Sequence, residues 1–190
     1  MKFVQKEFSS TFEEKKSKFI AFLIPFEMFD DVMIRLKNEH PKARHYVYAY
    51  RHLNEFEQIV ENSSDDGEPK GTSGKPSLAV LTGNELINTA VIIVRYFGGI
   101  KLGTGGLVRA YSDSVNEVIK ISEFKEYQKL ITKTLICDYS ELSKLEYLLA
   151  QENINIKSKE FTNQINLQIE LTIEQFEELK ALLSRNILVI

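Results

Sequence analysis

The chain has 190 residues, 43% of them hydrophobic and 27% charged, with a net charge of −3. That composition is globular and long enough for one large or two small domains, and the acidic balance excludes binding to nucleic acid by bulk charge alone. Cys137 is the single cysteine, which excludes an internal disulfide and a thiolate metal cluster.

Residues 1–7, Met-Lys-Phe-Val-Gln-Lys-Glu, lack the apolar core of a signal peptide. No run reaches the length of a membrane helix, so a cytoplasmic protein without membrane contact is expected. Ser17–Phe26 reads as a strand ended by Pro25, and Met28–Asn38 has apolar residues at helical spacing. His45–Arg51 is a strand with Tyr46, Tyr48 and Tyr50 on one face and His45, Val47, Ala49 and Arg51 on the other. The tyrosine stripe suits either a core or the stacking of unpaired bases, and core is the simpler assignment. Leu53–Ser64 gives only a weak strand signal at Ile59-Val60.

All nine glycines fall between Gly67 and Gly106. Glycine serves where backbone turns with positive φ or comes close to another group, so unusual backbone is concentrated in that window. Within it, Ser77–Leu81 is expected as a short helix with Ser73 as N-cap, and Thr89–Tyr96 as a strand buried on both faces. Leu107–Ile121 is an amphipathic helix whose inward residues are Leu107, Ala110, Tyr111, Ser114, Val115, Val118 and Ile119.

Residues 123–129 are polar enough for a linker, which divides the chain into domains at 1–128 and 129–190. The second domain reads as strand Ile131–Tyr139, a helix from Ser140, strands Asn155–Asn163 and Ile165–Leu171, a helix capped by Thr172, and a last strand Ile187–Ile190. That order, βαββαβ, is ferredoxin-like.

The candidate chemistry lies in the glycine window. The buried strand ends in Arg95, then Gly98, Gly99, Gly103, Gly105 and Gly106 lead into the next helix. Free amides at a helix N-terminus attract anions, and Lys70, Lys75, Arg95, Lys101 and Arg109 add charge, with Glu85 the only acid between Lys70 and Arg109. A phosphate-containing small ligand or an RNA backbone is the expected guest; a tight turn with glycines used only for packing is the alternative. The phosphate-loop and dinucleotide patterns are incomplete: Gly98 to Gly103 has the phosphate-loop spacing but Thr104 follows, and Val108 stands where a third dinucleotide glycine belongs. No cofactor is therefore expected.

Asp65, Asp66 and Glu68 form either a solvated turn or a set of carboxylates for Mg²⁺. Together with His45, a candidate proton carrier, they are the only catalytic candidates, and a structural role for His45 is the plainer one. Three histidines are too few for a zinc site, and no metal is assigned.

These residues resemble the YigZ/IMPACT family. The resemblance is carried by Val91-Ile-Ile-Val-Arg-Tyr-Phe-Gly-Gly-Ile-Lys-Leu-Gly103, by Asp65-Asp-Gly-Glu-Pro69 and Gly71-Thr-Ser-Gly-Lys-Pro76, and by Ser17-Lys-Phe-Ile-Ala21 and Ala43-Arg-His45. It covers nearly all of residues 1–122; beyond about residue 130 the chain is similar to the C-terminal domain of the bacterial members by pattern. The resemblance implies an N-terminal α/β domain of the ribosomal protein S5 domain 2 type and a C-terminal domain similar to those of translocation factors. It also implies contact with RNA or a ribosome-associated factor. Eukaryotic members regulate translation by competing for the activator of a stress-response kinase, but they carry a different extra domain. Val47 stands where other members often have cysteine, which speaks against thiol chemistry.

Overall fold

The computed structural model describes residues 1–190, which form two compact units, Met1–Tyr127 and Gln128–Ile190. In chain order the first contains β1 (Lys2–Phe3), β2 (Phe8–Glu14), β3 (Ser17–Pro25), α1 (Phe29–Glu39), β4 (His45–Leu53), β5 (Ile59–Ser64), α2 (Gly74–Gly83), β6 (Thr89–Tyr96), α3 (Gly103–Lys120) and β7 (Lys125–Glu126). The second contains β8 (Ile131–Cys137), α4 (Leu142–Gln151), β9 (Asn155–Phe161), β10 (Ile165–Leu171), α5 (Ile173–Leu182) and β11 (Leu188–Val189). No helix is long and apolar enough to cross a membrane.

Five antiparallel strands of the first unit run in the order β2-β3-β6-β4-β5. The central β6 is buried on both faces, as its run of Val, Ile and Ala requires. One face meets α2 and α3 through Phe19, Ala21, Leu23, Val47, Ala49, Val91, Ile93, Ala110, Tyr111 and Val115. The other meets α1 through Ile24, Val32, Leu36, Ala90, Ile92 and Val94. The tyrosine stripe belongs to this second core: Phe29 packs on Tyr48 and Tyr50 at 5.1 and 5.3 Å between ring centres, and the Tyr46 hydroxyl donates to the His40 carbonyl at 2.6 Å. Val47 lies fully buried on the opposite face.

Five elements, β1, β2, α2, α3 and β7, depart from the reading of the sequence. β2 was not foreseen; only alternate residues of Phe8–Glu14 are covered, and its polar residues blur the period. α2 runs from Gly74 to Gly83 rather than from Ser77 to Leu81, because another side chain caps it (below). α3 begins at Gly103, four residues before its first buried residue, Leu107. Within the expected linker, Lys125–Glu126 pairs with Lys2–Phe3, and the Tyr127 amide donates to the Met1 carbonyl at 2.9 Å.

The second unit has one antiparallel sheet in the order β11-β8-β10-β9, the ferredoxin-like arrangement. β10 alternates buried and half-buried residues, so one face carries Ile165, Leu167, Ile169 and Leu171 into the core with Leu145, Leu149 and Leu179. Thr172 starts α5 with a reciprocal capping box: its hydroxyl accepts from the Gln175 amide at 3.1 Å, and the Gln175 side chain accepts from the Thr172 amide at 3.0 Å. Cys137 is buried in this core.

Candidate functional site

The site is built from the edge where β4 starts and β6 ends. His45 and Arg95 are direct cross-strand partners, and Phe19 faces Arg95 from the other neighbouring strand. The Arg95 guanidinium lies 5.3 Å from the Phe19 ring centre and 5.8 Å from that of Phe97. A guanidinium sandwiched between apolar strands needs a counter-charge. Glu68 supplies it: its Oε1 accepts from Arg95 Nη1 and from the Tyr111 hydroxyl at 2.8 Å. The Arg95 and Glu68 side chains are 6% and 4% exposed. Arg95 Nε has no partner. Burial, then the adjacent Glu68 carboxylate, pushes the Tyr111 phenol far up, so it remains a donor.

The loop that brings in Glu68 is shaped by left-handed backbone at Asp66 and Gly67, with φ of 42° and 85°. Asp66 fastens it to the start of β4: its carboxylate accepts from the Tyr46 amide at 2.6 Å, and its carbonyl faces His45 Nδ1 at 2.8 Å. A carbonyl only accepts, so Nδ1 carries a hydrogen and in the neutral ring Nε2 presents a lone pair. Nε2 lies 3.8 Å from Glu68 Oε1.

Asp65 has a different task. Its two carboxylate oxygens accept from the amides of Gly71 at 2.7 Å, Ser73 at 3.0 Å and Gly74 at 2.9 Å. Burial works against ionisation, but these three amides and the nearby Lys75 outweigh it and hold the carboxyl below its ordinary value. Asp65 is therefore the cap of α2, the role expected of Ser73, whose side chain makes no capping bond. Asp65, Asp66 and Glu68 point at three separate sets of donors, and no group of metal-ligating side chains converges. They do not form the carboxylate set considered for Mg²⁺.

The two glycine-rich segments meet in one cleft of about 440 Å³, lined among others by Arg44, His45, Glu68, Arg95, Phe97, Lys101 and the first turn of α3 at Gly103 and Thr104. That turn lines the cleft and has no side-chain cap, so its first amides lack a helical partner. Gly103 has a φ of 73°, which suits glycine at the helix entrance.

Other expected site residues lie elsewhere. Gly98 is a packing residue: a Cβ there would sit 2.0 Å from the Lys16 carbonyl carbon, and its amide already donates to the Ser17 hydroxyl at 3.1 Å. Gly99 has φ 87° in open space. The Gly105 carbonyl accepts from Arg109 Nε at 3.3 Å. Gly106 and Arg109 line a separate pocket with Lys15, Glu14 and Asp113, where the acids cancel the bases. Lys70 and Lys75 are exposed outside the cleft. Arg44, absent from the sequence-based set, is in the cleft; its place immediately before His45 was the available signal.

Taken together these features define a two-domain protein of α and β structure with a cationic cleft at an uncapped helix N-terminus. Residues 15–119 match the Impact N-terminal domain and residues 135–186 match a domain of unknown function, DUF1949. An IMPACT family member from Haemophilus influenzae is 40% identical over 87% of this chain and 84% of its own length, and YigZ of Escherichia coli is 36% identical over 90% and 86%. A crystal structure described as that of a hypothetical protein superposes with a TM-score of 0.68 at 32% identity, covering 100% of this chain and 95% of that one. The chain belongs to the IMPACT family.

Proposed function

We propose that this chain is a cytoplasmic binding protein that contacts RNA or the translation machinery by holding a phosphate in the N-terminal cleft. The observation that carries this reading is the convergence of Arg44, Arg95, Lys101 and the uncapped first turn of α3 on one cavity, against a single carboxylate, Glu68. Cationic side chains and uncapped helix amides lining one cavity favour a phosphate oxygen. Because phosphate contacts position a chain without reading its bases, weak sequence preference and strong salt dependence follow. The role in translation comes from the family resemblance.

The test is binding of labelled single-stranded and structured RNA to the full chain across a salt series. A double Arg44→Glu/Lys101→Glu variant is expected to weaken binding by at least about tenfold, since two phosphate contacts become repulsive. Unchanged binding by that variant, or a flat salt response, overturns the reading.

A second reading has one observation in its favour. The Nε2 lone pair of His45, held 3.8 Å from a buried carboxylate, suits proton transfer on a small phosphorylated or nucleotide substrate. Turnover of such a substrate that His45→Gln abolishes would favour it.

A further inference from the structure

The cationic cleft also has an apolar wall. Pro69 and Phe97 are exposed residues of its lining, Phe97 at 43%. The Phe97 ring is held in place: β6 ends one residue before it, and the Arg95 guanidinium lies 5.8 Å from its centre. An aromatic ring fixed beside a cation and left half open at a cavity is a platform for a second flat group. The one carboxylate of the lining, Glu68, is already engaged by Arg95 and by the Tyr111 hydroxyl. Facing a ligand are Arg44 and Lys101, both exposed, and the first turn of α3 at Gly103 and Thr104. The Arg95 side chain is 6% exposed and its Nε has no partner. A buried N–H without an acceptor is costly, and this one belongs to the cleft lining, which points to an acceptor brought in from outside.

Building on the phosphate reading above, we propose that the cleft takes one unpaired nucleotide. Its phosphate sits at the first turn of α3 with Lys101 and Arg44 beside it, and its base lies flat against Phe97. A cavity of about 440 Å³ is within the ordinary range for a ligand of this size. In a duplex the faces of a base are covered by its neighbours, so a base reaches Phe97 only when it is unstacked. A free mononucleotide and a single strand both meet that requirement. Charge alone argues the other way: a duplex carries the denser row of phosphates, so a site that reads only charge holds duplex at least as tightly. Preference for the unpaired form is therefore the mark of the ring.

Two arms, both on the full chain, separate these sources. Calorimetric titration compares adenosine 5′-monophosphate with ribose 5-phosphate, which lacks only the base, and with inorganic phosphate. Fluorescence anisotropy compares a labelled RNA single strand with the same strand annealed to its complement, at one salt concentration. Removing the base, or pairing it, is expected to weaken binding by about fivefold or more in at least one arm. Phe97→Leu, which keeps an apolar side chain but no ring, is expected to weaken the bound form by a similar factor, and Phe97→Trp, which keeps a ring, to retain it. Base-dependent binding of the mononucleotide identifies a small ligand; a single-strand preference without it identifies an RNA strand. Base-independent binding in both arms, full binding by Phe97→Leu, or an equal loss in Phe97→Leu and Phe97→Trp overturns the inference. If single strand and duplex then bind alike with salt dependence, the broader phosphate reading stands; if no RNA or nucleotide binds, both fall.

Discussion

Glu68 and Arg95, 27 residues apart in the chain, bury their opposite charges against each other at the end of β6. The pair joins the Asp65–Gly74 loop to the central strand and sits beneath the cleft, so its first consequence is energetic. Glu68→Ala leaves a guanidinium uncompensated in a nearly dry setting and is expected to cost about 3–5 kcal/mol. A Glu68→Leu/Arg95→Met double variant is expected to recover most of that loss, because it removes the desolvated charges together. Urea unfolding of the three proteins checks both statements.

Asp65 gives a pH-dependent prediction. Asp65→Asn removes the charged cap of α2 and is expected to lower stability by about 1–2 kcal/mol. Since the folded-state pKa of Asp65 is held below its unfolded value, its contribution is complete above the unfolded value of about 3.9 and fades as pH falls through the lower folded one. Unfolding free energies measured from pH 6 to pH 2 should therefore converge for the parent and Asp65→Asn at the acid end. A gap that stays constant would show that the carboxylate charge is not the cap.

Two glycines of the same window, one in the loop after β6 and one in α3, respond in opposite ways. Gly98→Ala drives a methyl group into the Lys16–Ser17 backbone at 2.0–2.3 Å and is expected to destabilise by at least about 1–3 kcal/mol. Gly105→Ala meets open space in the first turn of α3 and is expected to be neutral or stabilising by up to about 1 kcal/mol. Thermal unfolding of each variant decides it, and an equal effect of the two would contradict the close approach described at Gly98.

Charge reversals map the surface. Lys101→Glu is expected to weaken RNA binding and reduce the salt slope by about one. Lys70→Glu and Arg109→Glu, which lie outside the cleft, are expected to change affinity by less than about threefold, with only general screening involved. Anisotropy titrations at several salt concentrations distinguish these; equal losses for all three would indicate a diffuse basic surface instead of a cleft.

The architecture was legible wherever one periodicity dominated. The apolar run at Val91–Val94, the inward face of α3 and the capping signal of Thr172 all follow from local rules and all appear in the fold. Local rules failed where a distant partner decides. Ser73 has the chemistry of an N-cap, but Asp65, eight residues earlier, holds the amides of Ser73 and Gly74 at the helix start. Residues of the glycine window line the cleft, yet the window does not reveal which glycine serves which purpose: Gly98 answers to the β2–β3 turn, 81 residues from its hydrogen-bond partner Ser17. Likewise Lys70, Lys75 and Arg109 are near the site in sequence while their helices and loops aim them elsewhere. Arg44 enters it because β4 pairs with β6 in the register His45 to Arg95.

The short ladder between Lys2–Phe3 and Lys125–Glu126 makes the opening residues a clasp. Lys2 also donates its amide to Glu85 and accepts from Ile87, so three backbone segments are stitched by one dipeptide. Shortening the front of the molecule by a few residues would consequently unfasten the segment leading out of the first unit, and protease nicking near Tyr127 would report that release.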